Sequence, residues 1–418
     1  MNTLVIYEDD GFHHLLPLTY WRTVCELRTG YGSLYEHTLQ ALGGGSRFEE
    51  VLVWCRPELA GVAAGRFEHP INRHASHERA LLINARLLMT EPPKDGPTPA
   101  VQWHHERPIV IQADADLATQ LTPELLLDPS ASRRILAHLP TFEFLAAPRL
   151  VGYPWDLVHA NPEMLHLGWR QLGEPADLAG RICEGVHILN RRAVHVGDSS
   201  TIKPGVVLDA ENGPIYIGRG VTISPNTSIE GPCYIGDGTL IQPGSALRDA
   251  ISIGRRCKVG GELESSIIHG FSNKQHDGFL GHSYVAEWVN LAADTVNSDL
   301  KNTYGNVRVP INGVEVDSGQ MFVGLTIGDH SKTGIGQMFP TGAVVGFGCN
   351  IATCEFAPKF VPSFTWLTGK GASPYAPDRC LDIARRVMDR RQTAPTPAEE
   401  AWFMWLPTYA RQFEKTPA

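Results

Sequence analysis

The chain has 418 residues, of which 43% are hydrophobic and 19% are charged, and its formal net charge is −9. This length allows two or three domains with sizeable cores, and the acidic balance argues against a protein that binds nucleic acid. No apolar run approaches the roughly 18 residues of a membrane-spanning helix, so we also expect no membrane partner.

The first 175 residues alternate strand-like and helix-like stretches. The strand-like runs cover residues 3–7, 51–54, 81–84 and 108–112, and the helical ones cover 31–42, 123–127 and 162–172. Such alternation predicts an α/β domain over residues 1–175 with a largely parallel sheet. The first run lacks the basic flank and long apolar core of a secretory signal. The eight cysteines form no C-x-x-C pair, and we expect a cytoplasmic protein without disulfides.

An aliphatic residue recurs at every sixth position from residue 217. The set is Ile217, Ile223, Ile229, Ile235, Ile241, Leu247, Ile253 and Val259. A six-residue period fits neither an α-helix nor an antiparallel meander. Short strands, three to each coil, would turn every sixth side chain inward, and stacked coils would bury the resulting ladders. The spacing therefore predicts a left-handed parallel β-helix of hexapeptide repeats over residues 176–370.

Residues 371–418 are predicted to form a helical tail. Apolar residues recur on one face between 377 and 392, which is typical of an amphipathic helix. A second helix is expected to begin after Thr396, with Pro397 in its first turn and Glu399 completing a capping box.

The hexapeptide rhythm breaks at residues 270–281, Gly-Phe-Ser-Asn-Lys-Gln-His-Asp-Gly-Phe-Leu-Gly. A polar stretch inside a solenoid is expected to protrude as a loop, and loops on rigid scaffolds often carry function. His276 lies in this stretch and is the first candidate for a catalytic residue. The alternative is a solvated side chain in a turn.

Residues 259–295 resemble the acetyltransferase domain of the bifunctional UDP-N-acetylglucosamine pyrophosphorylase/glucosamine-1-phosphate N-acetyltransferase family. The stretch Ser-Asn-Lys-Gln-His-Asp-Gly-Phe-Leu-Gly-His at 272–282 is characteristic of a divergent bacterial branch of that family. The resemblance implies a homotrimeric acyltransferase with active sites between neighbouring β-helices. It would transfer an acetyl group from acetyl-CoA to an amino-sugar 1-phosphate, with glucosamine 1-phosphate favoured, in the synthesis of sugar-nucleotide precursors of the cell envelope.

The resemblance also implies roles for single residues. His276 matches the general base, for which an imidazole with a pKa near 6.5 is suited. Glu264 matches an acidic residue that orients the base or the amine, and Arg248 matches a phosphate-binding arginine, whose guanidinium can bind two oxygens at once. Asn290 matches a substrate-binding asparagine, and Ala293 a position whose backbone lies near the thioester.

Further positions follow or depart from the family's pattern. Lys301 is expected to make an additional phosphate contact. The usual tyrosine becomes Phe279 and a usual asparagine becomes Asp299. A basic residue expected near Ser266 is missing unless Lys274 replaces it. All four, Lys274, Phe279, Asp299 and Lys301, are carried as candidate substrate contacts, and no metal is expected at this site.

Residues 15–19 and Arg22 resemble the stretch after the signature loop of sugar-nucleotide pyrophosphorylases. In those enzymes a Gly-Gly-x-Gly-Thr-Arg loop binds nucleotide phosphates through its backbone N–H groups. Here residues 9–14 read Asp-Asp-Gly-Phe-His-His, and the carboxylates would repel a triphosphate. Asn84, Asp114 and Asp116 are the candidates for the Mg²⁺ position. We predict weak, altered or no uridylyltransferase activity, with Mg²⁺ needed only if this domain is active.

Three other functions stay open at the level of sequence. The first is a sugar-1-phosphate nucleotidyltransferase whose β-helix serves trimer assembly. The second is a zinc hydratase of the γ-carbonic anhydrase type, which would require His269, His276 and His282 to converge on one ion. The third is a non-enzymatic scaffold or regulatory binder.

Overall fold

The computed structural model describes residues 2–75 and 79–415. The N-terminal part is built on a five-stranded sheet in the order Glu50–Trp54, Thr3–Tyr7, Ala80–Asn84, Arg107–Ala113, Ala100–His104. The predicted strands are present, each within a residue or so of its expected ends. A small hairpin pairs Arg28–Thr29 with Gly32–Ser33.

Helices and short 3-10 segments surround this sheet. The helices are α1 (Leu34–Ala41), α2 (Ala60–Ala64), α3 (Ala115–Gln120), α4 (Pro123–Leu127), α5 (Pro129–Leu136) and α6 (Pro154–Gln171). The 3-10 segments in this part are Asp10–Leu15, Val24–Glu26, Gly45–Arg47 and Pro57–Leu59.

Two expectations for this part were wrong. The sheet is mixed: Thr3–Tyr7 pairs in parallel with both of its neighbours, but Arg107–Ala113 pairs antiparallel with both of its own. The two strands after Ala80–Asn84, Ala100–His104 and Arg107–Ala113, form an antiparallel hairpin at the edge of the sheet. The alternation of strands and helices in the sequence does not indicate this hairpin. Helix α6 begins at Pro154 rather than at Pro162, because the buried Trp155, Leu157 and Val158 extend its apolar face through the internal proline.

The following part of the chain is a parallel β-helix with three faces, as predicted. Face 1 consists of Val194–Val196, Ile215–Ile217, Cys233–Ile235, Ile251–Ile253, Ile267–Ile268, Tyr284–Val285, Thr326–Ile327, Val344–Val345 and Phe360–Val361. Face 2 consists of Arg181–Ile182, Thr201–Ile202, Thr222–Ile223, Leu240–Ile241, Lys258–Val259, Asn273–Lys274, Asn290–Leu291, Lys332–Thr333, Asn350–Ala352, Thr365–Thr368 and Gly371–Pro374.

Face 3 consists of His187–Leu189, Val207–Asp209, Ser228–Glu230, Ala246–Arg248, Glu262–Glu264 and Phe279–Gly281. Val296–Asn297 and Met338–Phe339 pair with each other beyond it. A 3-10 segment (Arg191–Ala193) lies in an early coil, and a hairpin of Arg308–Ile311 with Val314–Asp317 is inserted between later ones. The residues at the six-residue spacing are all buried inside the coils, which explains why the period was informative.

Residues 270–281 do not protrude as the predicted loop. Asn273–Lys274 and Phe279–Gly281 are strands of faces 2 and 3, joined by a turn at 275–278. The strand register places Lys274 between Val259 and Leu291. A lysine therefore occupies a position of the inward ladder. The six-residue phase is lost earlier, because the inward residue after Val259 is Leu263, only four positions along the chain.

The N-terminal part packs on face 1 of the β-helix, and the helical tail packs beside it on turn residues that include Phe347 and Phe364. Ile267 and Tyr284 share a hydrophobic core with residues of the N-terminal part, and Ser252 donates a hydrogen bond to the carbonyl of Gly30. The tail forms α7 (Pro377–Asp389) and α8 (Pro397–Ala410), with the predicted capping box at Thr396. Within residues 2–75 and 79–415, no helix combines the length and apolar character needed to cross a membrane.

Candidate active site on face 3

Face 3 brings several of the candidate residues together. Alternate residues of a strand point to opposite sides, and Leu247, Leu263 and Leu280 are buried in the interior. The strand register aligns two outward columns: Arg248, Glu264 and Gly281, and beside them Ala246, Glu262 and Phe279. Residues 16 or 17 positions apart in the sequence are thereby neighbours in space.

Arg248 is held by two carboxylates. Its Nη2 lies 2.5 Å from Oε1 of Glu262 and 2.9 Å from Oε2 of Glu264. The hydrogen bond to Glu262 is the main cause that raises the pKa of Arg248 above its usual value. The side chain keeps 39% of its surface exposed, so one side of the guanidinium stays accessible to a ligand.

The other end of this column carries an imidazole-carboxylate pair. Nδ1 of His282 lies 2.9 Å from Oδ2 of Asp299. Glu264 joins them, because one ligand-type atom from each of the three residues lies within 4.8 Å of the others. Gly281 leaves room for the pair, since a Cβ at this position would press on both Asp299 and Phe279.

His276 lies in the exposed turn that leads from face 2 into face 3. Beneath it, the ammonium of Lys274 donates hydrogen bonds to the carbonyls of Gly260 at 3.2 Å, His276 at 2.5 Å and Asp277 at 3.2 Å. Burial lowers the pKa of Lys274 to about 8. The structure therefore gives Lys274 a role in holding the turn, in place of the predicted substrate contact, because its ammonium is buried and fully hydrogen-bonded.

A groove of about 350 Å³ runs beside this turn. Gly261 and Gly278 keep it open, and Glu262, Asp277 and Phe279 lie along it. Phe279 points outward, so it is not one of the core residues of the ladder. The groove therefore connects the turn that carries His276 with the outward columns of face 3.

The remaining candidates lie around this region. Ala293 is in the turn of the next coil, which stacks on the His276 turn through the hydrogen bond from the N–H of Asp294 to the carbonyl of Asp277 at 3.0 Å. Asn290 is on face 2, where its Oδ1 accepts a long hydrogen bond of 3.4 Å from Asn273. Lys301 lies outside the columns and donates to the carbonyl of Asn306 at 3.0 Å.

The three histidines of the zinc alternative lie apart. His269 faces the N-terminal part, with Nδ1 3.3 Å from Glu287, whereas His276 and His282 are at opposite ends of the Phe279–Gly281 strand. Across the part of the chain that the structure describes, the only set of three or more side chains suited to hold a metal ion is Glu264, His282 and Asp299. Arg248 already neutralises the carboxylate of Glu264 in that set, which disfavours a second cation there.

The pairing of His282 with Asp299 was not predicted from the sequence. The sequence suggests His282 only as a zinc ligand and Asp299 only as a changed substrate contact. The sequence spacing could have predicted this contact. His282 and Asp299 are 17 positions apart, and the same spacing aligns Glu264 with Gly281 on neighbouring coils.

The signature loop in the N-terminal part is filled by side chains. Arg86 donates from Nε to Oδ1 of Asp9 at 2.7 Å and from Nη2 to Oδ2 at 2.5 Å, and Asn84 donates to Oδ2 at 3.0 Å. Burial alone would raise the pKa of Asp9, but Arg86 outweighs it and holds the pKa below its usual value. The guanidinium of Arg86 lies directly over Gly11, where a Cβ would collide with it.

The mouth of this loop is also covered. Phe413 contacts Phe12 with ring centroids 5.8 Å apart, and Asn312 donates to the carbonyl of His13 at 2.8 Å. Of the Mg²⁺ candidates, Asn84 uses its amide nitrogen on Asp9, and Asp114 caps α3 by accepting from the N–H of Leu117.

Comparison with known proteins gives two family matches. Residues 4–171 match a family described as sugar nucleotidyl transferase, and residues 214–249 match the bacterial transferase hexapeptide family of six repeats. The chain therefore carries a sugar nucleotidyltransferase domain followed by hexapeptide repeats, as the resemblance implied.

Curated relatives are similar over parts of their length. A bifunctional sugar-1-phosphate nucleotidylyltransferase/acetyltransferase from Sulfurisphaera tokodaii is 35% identical over 136 residues, which are 32% of this chain and 34% of that protein. The bifunctional protein GlmU of Methanococcus aeolicus is 31% identical over 199 residues, 47% of this chain and 41% of that protein. The chain thus spans between a third and a half of the length of these relatives.

Among solved structures, a UDP-N-acetylglucosamine acyltransferase from Campylobacter jejuni aligns with a TM-score of 0.32 and 15% identity. That alignment covers 54% of this chain and 95% of the other.

Proposed function

We propose that this chain is an acetyl-CoA-dependent N-acetyltransferase that acts on an amino-sugar 1-phosphate, with glucosamine 1-phosphate as the favoured acceptor. The observation that carries the proposal is the register of face 3, which aligns Arg248 with Glu264 and sets Phe279 in the groove beside the turn of His276. The names of the curated relatives, which include an acetyltransferase, support the same reaction.

The proposed reaction joins the amine nitrogen to the acetyl carbon of the thioester while the carbon-sulfur bond breaks. His276 takes a proton from the attacking nitrogen and passes it to the departing CoA thiolate, which leaves as the free thiol. Backbone N–H groups near Ala293 would stabilise the negative charge on the carbonyl oxygen. The open side of Arg248 would bind the sugar phosphate, with Lys301 as a second cation.

The functional form would be a homotrimer in the cytoplasm, where acetyl-CoA and sugar phosphates are available. In such a trimer a neighbouring copy would pack against the corner between faces 2 and 3, where Ile335 is 80% exposed. A neighbouring copy would then close one side of the groove for the pantetheine arm.

Residues 1–175 would keep the nucleotidyltransferase fold with weak, altered or no uridylyl transfer, and would need Mg²⁺ only if active. Residues 176–370 would carry the acetyl transfer, and residues 371–418 would cover the junction between the two. Support comes from Arg86, which occupies the space over Gly11 that a phosphate would need.

The test is to offer the purified protein acetyl-CoA with a panel of amino-sugar 1-phosphates and to follow the free thiol. We expect turnover with glucosamine 1-phosphate and a loss of at least about 100-fold in His276→Ala. His187→Ala is the matched control, because His187 is an exposed histidine at the far end of the same face. Unchanged turnover in His276→Ala would overturn the assigned base. Release of pyrophosphate from UTP without any thiol would favour the nucleotidyltransferase alternative.

A further inference from the structure

We infer that a cavity at the junction of the three parts of the chain binds a phosphorylated small molecule through Arg28 and Arg255. The cavity has a volume of about 690 Å³, which lies within the range of roughly 300–1,000 Å³ usual for small-molecule sites. Its walls come from the hairpin that carries Arg28, from turns that follow strands of face 1, and from the end of α7 and the start of α8. Residues 9–14 and the strands of face 3 do not line it, so this inference is independent of the proposed acetyl transfer.

Arg28 and Arg255 are held by aromatic rings rather than by carboxylates. The guanidinium carbon of Arg28 lies 4.9 Å from the ring centroid of Tyr234, and that of Arg255 lies 5.1 Å from the ring centroid of Phe271. Within residues 2–75 and 79–415, neither arginine forms an ion pair with a carboxylate. A ring orients a guanidinium without neutralising its charge, so both arginines keep N–H groups that can bind an oxyanion.

The carboxylates that line the cavity already have other partners. They are Glu26, Glu36, Asp237, Glu287 and Glu399. Arg66 pairs with Glu26 at 3.2 Å and with Glu399 at 2.8 Å, and Arg22 pairs with Glu287 at 3.1 Å. The other two accept hydrogen bonds from backbone N–H groups, Glu36 from that of Ser33 and Asp237 from that of Arg219. A cationic ligand would have to displace these partners, whereas an anionic one would meet two arginines that have none.

Positive charge is concentrated at the end of the cavity where Arg255 lies. An adjoining groove of about 350 Å³ is lined by Arg255 and Arg256, and Asp237 is the single carboxylate among the described residues along it. Arg256 also donates from Nη1 to the carbonyl of Arg391 at 3.1 Å. Burial, together with repulsion from Arg390 and Arg256, lowers the pKa of Arg391 below its usual value. A phosphate group carries more negative charge than a carboxylate and would relieve this repulsion more effectively.

A ligand in this cavity would contact all three parts of the chain at once. Arg28 belongs to the N-terminal part, Arg255 to a turn of the β-helix, and Thr393 to the segment between α7 and α8. The complete set of contacts exists only when the three parts are docked. Binding should therefore stabilise the docked form and raise the melting temperature.

The test is to titrate the intact purified protein with inorganic pyrophosphate, by calorimetry and by thermal unfolding, against sodium chloride of equal ionic strength. Saturating pyrophosphate should raise the melting temperature of the wild type by about 2 °C or more. Arg28→Gln and Arg255→Gln should each weaken binding at least about 10-fold, because each removes a charged hydrogen-bond donor. Arg192→Gln is the matched control, since Arg192 is an exposed arginine in an early coil, and it should bind like the wild type.

Arg248→Gln separates this cavity from face 3. It removes the arginine proposed to bind the sugar phosphate there, and pyrophosphate binding should stay as in the wild type. No binding in the wild type, or binding that Arg248→Gln abolishes and Arg255→Gln leaves unchanged, would overturn the inference. Arg255 is exposed, so its substitution tests the site even if Arg28→Gln does not fold. Because the readout is binding, a protein that transfers no acetyl group can still confirm the cavity as a site.

Discussion

His330 should make the protein sensitive to mild acid. The side chain is fully buried at the junction of all three parts of the chain, and neither ring nitrogen has a hydrogen-bond partner. Aromatic rings of Trp21, Trp288, Phe347 and Phe403 surround it at centroid distances of 5.3 to 6.2 Å. Burial holds the pKa of His330 well below its usual value.

The charged groups around His330 act in both directions. Lys332, Arg22 and Arg66 further lower its pKa, and Glu287 opposes them. The net direction is downward, so folding requires the neutral imidazole. The neutral buried imidazole therefore imposes no penalty on the free energy of unfolding above the unfolded-state pKa of about 6.5. As the pH falls below that value, the unfolded state binds a proton and the free energy of unfolding decreases.

The magnitude follows from linkage. Each pH unit below 6.5 costs about 1.4 kcal/mol while the folded imidazole stays neutral, so the loss between pH 6.5 and 5.0 is about 2 kcal/mol. His330→Leu removes the titrating group with little change in volume. Free energies of unfolding, measured in urea at both pH values, should fall about 2 kcal/mol further in wild type than in this variant.

The control for this measurement is His187→Leu, since His187 is exposed and should leave the pH dependence unchanged. Parallel pH dependences for wild type and His330→Leu would refute the reasoning. They would mean that the imidazole is protonated or hydrated in the folded protein.

Three further predictions concern single side chains. Lys274→Ala should destabilise the protein by about 3 kcal/mol, because the buried carbonyls that it serves lose their donor; an unchanged melting temperature would contradict this. Gly281→Ala should reduce acetyl transfer more than stability, because the added Cβ presses on Asp299; equal turnover in an assay of thiol release would count against the site. Arg86→Leu should cost about 3–5 kcal/mol by leaving Asp9 buried without its partner, and adding Asp9→Asn should recover much of that loss in thermal unfolding.

The hexapeptide period allowed the β-helix to be predicted, because in this architecture the side chain of every sixth residue points into the interior. The capping box at Thr396 could also be predicted, because it depends only on residues close together in the sequence. The mixed character of the sheet could not be predicted from the sequence. The direction of the strand Arg107–Ala113 depends on its antiparallel pairing with Ala80–Asn84, which only the tertiary structure shows. The start of α6 was misplaced because buried apolar side chains outweighed the internal Pro162.

Some features of the candidate site could likewise be inferred from the sequence, and others could not. Arg248, Glu264 and Phe279 were named as candidates only through the resemblance, and the strand register of the structure is what places them on one face. Lys274 could not be distinguished from an exposed lysine, since its role depends on three carbonyls that only the folded turn brings together. Asp299 meets His282 only because Gly281 leaves space between neighbouring coils.

The ion pairs of Arg22 bear on whether the two parts of this protein can be studied as separate fragments. Its guanidinium reaches from the N-terminal part to Asp329 and Glu287 of the β-helix, and all three groups are buried or nearly so. Scission near residue 175 would leave two carboxylates without their counter-ion and would open the shared apolar interior to water. Each fragment would then be prone to aggregate, and point substitutions in the intact chain are the sound way to study the two parts separately.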